Sequence, residues 1–195
     1  MLKIATQYSV ANDLALGRRR FLKAGLIGLA SLALPLPIFA QLTGPASRER
    51  SLSLYNTHTG ESLQSVVYWA AGDYLPEALT DINFLLRDHR TDQVKPIDPK
   101  LFDLLHTLSY KLGIHRPYQI ISGYRSPKSN RKLQQTSSGV AKNSFHLAGQ
   151  AADIRLPGRN LSQLRRAALN LRAGGVGYYP QSNFIHVDTG PRRSW

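Results

Sequence analysis

Two short stretches hold most of the chemistry in this chain: Ser144-Phe145-His146-Leu147-Ala148-Gly149-Gln150-Ala151-Ala152-Asp153, and Phe184-Ile185-His186-Val187-Asp188. Between them they offer two imidazoles and two carboxylates, the nitrogen and oxygen donors that suit Zn2+. Gly149 lets the chain turn between His146 and Asp153, while Ala151 and Ala152 leave room for close backbone approach. His186 and Asp188 are two apart in a segment that reads as a strand, so both side chains leave the same face. His58, His89, His106 and His115 fall in a turn, on helices or before a strand and read as surface or helix-end residues. Spacing alone leaves two readings open: a shared metal, or separate hydrogen-bonded histidines without one. The chain has no cysteine. A zinc site here must therefore be built from His, Asp or Glu, and thiol catalysis is excluded.

Such a site needs a rigid frame, and the pattern supplies one. Leu52–Asn56 and Gln64–Trp69, rich in β-branched and aromatic residues, bracket a Gly60-containing turn and predict a hairpin. Pro76 opens an amphipathic segment with Leu79, Ile82, Leu85 and Leu86 on one face. Asp98-Pro99 opens a second with Leu101, Leu104, Leu105 and Leu108, and Gly113 stops it: a capping acid, Pro in the first turn, Gly past the end. Tyr118–Ser122 predicts a strand running into a turn at Gly123-Tyr124-Arg125-Ser126-Pro127, then a short helix over Ser129–Gln135 and a polar loop to Asn143. Strands over Ala151–Leu156, Val176–Tyr179 and Phe184–Val187 surround a basic helix, Leu161–Leu171, closed by Gly174-Gly175. Helices early and strands late predict an α+β fold with an antiparallel sheet and helices packed on one side.

The first forty residues read as targeting rather than fold. Arg18-Arg19-Arg20-Phe21-Leu22-Lys23, an apolar run from Ala24 to Leu34, Pro35 and Pro37, and the small Ala40 resemble a twin-arginine (Tat) export signal. The run is too short to span a bilayer. Residues 1–40 are thus expected to be a removable signal, 41–50 a flexible lead-in and 51–195 a single domain, with no stable membrane insertion once the signal is gone. That places the mature domain in the periplasm. The chain is basic, with 25 Lys+Arg against 12 Asp+Glu. In a cell envelope that charge suits polyanionic wall and lipid, and export argues against a nucleic-acid partner.

The ordered motifs Ser122-Gly-Tyr-Arg-Ser126, Ser-x-His146-x-x-Gly-x-Ala-x-Asp153, Gly174-Gly-Val-Gly-Tyr-Tyr-Pro180 and Phe184-Ile-His-Val-Asp-Thr-Gly190 resemble the LAS-type zinc peptidases. These are D-Ala-D-Ala carboxypeptidases, dipeptidases and murein endopeptidases, and the likeness is narrowest to the murein endopeptidase K group. The resemblance implies a hedgehog/DD-peptidase-like fold and Zn2+ held by His146, Asp153 and His186 with one open position, as catalysis requires. It also implies that Arg125 holds a substrate carboxylate or the tetrahedral oxyanion. The expected function is a murein endopeptidase hydrolysing cross-links, with peptidoglycan stem peptides as partner. A D,D-carboxypeptidase and a non-catalytic zinc-containing wall-binding module are the rivals.

The general base is less legible. Where many relatives carry Glu or Asp three residues before the third ligand, this chain has Asn183. Asp188, sharing a strand face with His186, becomes the candidate base. Two other roles stay open: Asp188 orients an imidazole, or is itself the third ligand with His186 as base. Ser144 and Tyr178 are candidate substrate contacts, against a loop-fixing role for Ser144 and a packing role for the Tyr178-Tyr179 pair. Lys128, Arg131, Lys132 and Lys142 bracket the polar loop and could meet acidic stem peptides, or form a solvated face.

Overall fold

The structure is a computed structural model that describes residues 49–195 apart from position 138. The expected signal over 1–40 and nearly all of the lead-in over 41–50 lie outside the described residues, and Arg50 already belongs to the first strand. Among the described residues no helix is long and apolar enough to cross a membrane.

Strands β1 (Arg50–Asn56) and β2 (Ser62–Ala70) form the predicted hairpin, and β3 (Asp73–Tyr74) adds a short edge beside β2. Helix α1 (Pro76–Leu85) turns Ala78, Ile82 and Leu85 inward. Helix α2 (Pro99–Leu112) starts where Asp98 accepts a hydrogen bond from the Lys100 amide, and ends at Gly113 with φ 62°, the left-handed cap its sequence foretells. Strand β4 (Tyr118–Ser122), helix α3 (Pro127–Thr136), the single turn α4 (Phe145–Ala148), strand β5 (Ala151–Arg155) and helix α5 (Leu161–Leu171) follow. The chain closes with β6 (Gly175–Tyr179), β7 (Phe184–Asp188) and β8 (Arg193–Ser194).

The eight strands make one sheet in the order β3-β2-β1-β4-β5-β7-β6-β8. It is mixed rather than purely antiparallel, because β1 runs parallel to β4 and β6 parallel to β8. A crossover through α1 and α2 separates β1 from β4, which is what a parallel neighbour requires. Side-chain alternation splits the sheet in two. Ala152 and Ile154 of β5, Ile185 and Val187 of β7 and Val176 of β6 join Leu101, Phe102, Leu105 and Leu108 of α2 and Leu164 and Ala168 of α5 in the core. Asp153 and His186 leave the opposite face, where His146 of α4 meets them. The helices are therefore not confined to one side: α1, α2 and α5 cover the core face, and α4 stands on the other. The end of α5 also differs from expectation. Arg172, at φ 53°, makes the left-handed cap, while Gly174 and Gly175 serve close packing against Asp188.

Candidate metal centre

β5 and β7 are hydrogen-bonded neighbours, and their register sets Asp153 directly opposite His186. The third group arrives on α4, whose start is fixed by Ser144: its hydroxyl accepts a hydrogen bond from the His146 amide at 3.3 Å. Gly149 ends the turn at φ 71° and lies so close to the Pro96 carbonyl that a Cβ would sit 2.6 Å from it. Glycine alone can bring α4 back into β5 there.

The result is a tight triangle. His146 Nε2 lies 3.2 Å from Asp153 Oδ1 and 3.2 Å from His186 Nδ1, and His186 Nδ1 lies 3.0 Å from Asp153 Oδ1. The other ring nitrogens settle the tautomers. His146 Nδ1 faces the Gly123 carbonyl at 2.7 Å, and His186 Nε2 faces Asp188 Oδ2 at 2.9 Å; both partners only accept, so both of those nitrogens carry the proton. The nitrogens that face each other then present lone pairs, and a carboxylate oxygen joins them. Three converging lone pairs repel unless a cation lies among them. Ligands bonded at about 2.0–2.1 Å in a tetrahedron sit about 3.3 Å apart, close to the edges observed. The donor set therefore fits a small divalent cation, and among the described residues these three form the group able to hold one.

The electrostatics mark the triangle as a place that favours positive charge. Burial would raise the Asp153 pKa, but His146 and His186 outweigh it and hold the carboxyl well below the usual range. Burial would lower that of His186, yet the carboxylates of Asp153 and Asp188 push it up, so without a cation a proton takes the place on Nδ1 that the metal would fill. Arg125 is 9% exposed, with Nη2 3.7 Å from Asp153 Oδ2, Nη1 3.4 Å from Asn130 Oδ1 and Nε without a partner. Desolvation lowers its pKa. A buried guanidinium so loosely paired has capacity left for an anion.

The triangle opens into a cleft of about 470 Å3, and Arg125, Ser144, Phe145, Tyr179, Phe184 and Trp195 are among the residues lining it. Two sequence expectations need correction. Asp188 is fully buried behind His186, on the side away from the triangle. Its Oδ1 accepts from the amides of Gly175 (3.0 Å) and Gly190 (2.8 Å), and its Oδ2 is paired with Arg193 at 2.7 Å. A base must reach the proton it takes; Asp188 has neither access nor a free lone pair, and it occupies the place of a residue that orients the imidazole. The same geometry excludes it as third ligand. Tyr178 is also misplaced, since alternation along β6 turns it to the core face, with Arg165 5.0 Å from its ring. Tyr179 faces the cleft instead, stacked on Phe184 at 4.7 Å.

Asn183, at φ 53°, lines a separate small cavity with Gln119 and Arg155. Of the described residues lining the main cleft, Asp153 is the one acid. Sequence reasoning missed Arg193 and Trp195. Tyr179 was chosen over Tyr178 by the strand register, which sets Gly177 opposite His186 and so puts position 179 on the cleft face.

A mixed sheet presenting a His-Asp-His donor set to an open cleft, beside a buried arginine, defines a metal-dependent peptidase of the LAS type. A family model described as Peptidoglycan L,D-endopeptidase MepK matches residues 44–195. The chain is 49% identical over 178 residues to a protein of Escherichia coli (strain K12) named peptidoglycan L,D-endopeptidase MepK, covering 91% of this chain and 96% of that one. It is 42% identical over 179 residues to a probable peptidoglycan L,D-endopeptidase MepK of Haemophilus influenzae, covering 91% and 95%. The chain belongs to the MepK family of peptidoglycan endopeptidases.

Proposed function

We propose that this protein is a zinc-dependent murein endopeptidase, exported by the twin-arginine pathway, that hydrolyses peptide cross-links of peptidoglycan in the periplasm. The observation that carries the reading is the convergence of three lone-pair donors, His146 Nε2, Asp153 Oδ1 and His186 Nδ1, at the floor of an open cleft. Family membership supports the substrate, and the Arg-Arg-Phe-Leu-Lys stretch with its apolar run supports the route.

Those three residues would hold the zinc. Bound there, it supplies Lewis-acid polarisation of the scissile carbonyl and water that is nucleophilic near neutral pH. The chain's own groups do the rest. Asp188 keeps the His186 proton on Nε2, and the Gly123 carbonyl keeps the His146 proton on Nδ1, so both ligand nitrogens stay unprotonated. Arg125 offers a fixed positive charge to a stem carboxylate or to the oxyanion that develops during attack. Ser144 holds α4, and with it His146, at the right height.

The test is digestion of purified sacculi with and without chelator, followed by analysis of the muropeptides. Loss of dimers that zinc restores supports the endopeptidase. Free D-alanine with dimers intact points to a D,D-carboxypeptidase, and retention on sacculi with nothing released points to a non-catalytic wall-binding module.

A further inference from the structure

We infer that Trp195 is a substrate-binding residue, a fixed aromatic wall that contacts the side chain of the amino acid flanking the scissile bond. The inference rests on the peptidase reading above. Trp195 is 47% exposed, an unusual state for an indole, and it lines the cleft. Exposure usually goes with mobility, but here the ring is pinned. Its backbone amide donates to the Val176 carbonyl at 3.3 Å, and its carbonyl accepts from the Tyr178 amide at 3.0 Å. The indole Nε1 donates to the Tyr179 hydroxyl at 2.8 Å. Arg193 lies 5.0 Å from the ring centre, and its guanidinium is anchored on Asp188. Beneath the indole, position 177 must be glycine, because a Cβ there would come within 2.7 Å of the ring.

An exposed aromatic side chain held by this many contacts has already lost the rotamer freedom that binding would cost, and its free surface remains to be covered. What covers it follows from distance. The indole centre is 5.3 Å from that of His186, a ligand of the proposed metal. A group touching the ring therefore belongs to a residue next to the bond being cut. An extended peptide advances about 3.3–3.6 Å per residue, so in a stem bound extended along the cleft a sugar two residues or more from that bond falls beyond the ring. The occupant is an alkyl side chain of the stem peptide. With Arg125 taking the anionic group, the cleft reads the substrate at two points.

The chain has two tryptophans. Trp69 lies on β2 with Arg50 4.2 Å from its ring, so Trp69→Phe leaves Trp195 as sole reporter. Stopped-flow mixing of the zinc-loaded Trp69→Phe protein with a cross-linked muropeptide dimer is expected to change indole emission before the first turnover, and the peptide-free disaccharide is expected to leave it unchanged. Trp195→Ala is expected to keep its zinc content and melting temperature, raise KM on the order of tenfold, the factor equivalent to 1.4 kcal/mol, and leave kcat within about threefold; Trp195→Phe recovers part of the loss. Silent emission overturns the inference, as does an unchanged KM in Trp195→Ala. So does a response to the disaccharide alone, or loss of zinc from Trp195→Ala, which would make the ring a prop for His186. A wild type that cleaves no sacculi counts against the peptidase reading, while emission tests the peptide contact by itself.

Discussion

Asp188→Asn separates two roles that the sequence could not. The carboxylate faces four donors: His186 Nε2 at 2.9 Å, Arg193 at 2.7 Å, and the amides of Gly175 and Gly190 at 3.0 and 2.8 Å. An asparagine of the same size keeps one acceptor oxygen and puts an NH2 where the other stood. The backbone amides cannot turn away, so the oxygen stays with them and the NH2 meets His186. The imidazole then moves its proton to Nδ1, and the lone pair that pointed at the triangle is lost. Removing a partner that orients a metal-bound histidine typically costs 10–100-fold in metal affinity, which is about 1.4–2.8 kcal/mol. Fold stability falls by a comparable amount. Hydrogen bonds to charged groups are each worth roughly 1.5–3 kcal/mol, but the Arg193 side chain is 37% exposed and rehydrates, so the lower part of that range applies. Zinc affinity is read by competition with a chromophoric chelator, and folding by circular dichroism and thermal melting. Zinc affinity within about twofold of wild type, together with complete loss of turnover, would refute this reasoning and return Asp188 to the substrate's proton.

Arg125→Lys should retain zinc yet lower kcat/KM by roughly 100-fold or more, as removal of an oxyanion donor does; metal analysis beside muropeptide release checks both halves. Chelation should destabilise the fold, because zinc at a hundredfold excess over its Kd adds about 2.7 kcal/mol, roughly 5–11 °C in melting temperature for a domain of this size. Gly174→Ala forces a Cβ into the Asp188 carbonyl, and a loss of about 3 kcal/mol should appear in chemical denaturation. Acid should weaken the domain through His89, whose pKa is pushed down to about 4 by burial and by the neighbouring Arg90 and His58. Its folded pKa lies below the ordinary 6.5, so the unfolded chain binds more protons between the two values. Stability is therefore complete above about pH 6.5 and declines toward pH 4, and melting curves of His89→Gln should show a shallower decline.

Local chemistry was written plainly in the chain. The hairpin β1-β2, the capped helix α2 and the strand carrying His186 all follow from patterns a few residues long, because capping, turns and alternation are settled by near neighbours. The donors His146, Asp153 and His186 were legible as residue types, and the family likeness joined them. Their convergence was not, since it depends on the β5-β7 register and on the fit of Gly149 under Pro96. Parallel pairing of β1 with β4 escaped for the same reason: a strand carries no mark of its neighbour's direction. Asp188 illustrates the limit best. Sequence put it on the same strand face as His186, which is correct, but burial and four donors, contributed by β6, β7, β8 and the turn after β7, make it a partner of the imidazole instead of a base in the cleft. What the sequence determined by itself was the set of groups able to act; which of them face the cleft, and which stand behind, was decided only when distant strands paired and took some away from water.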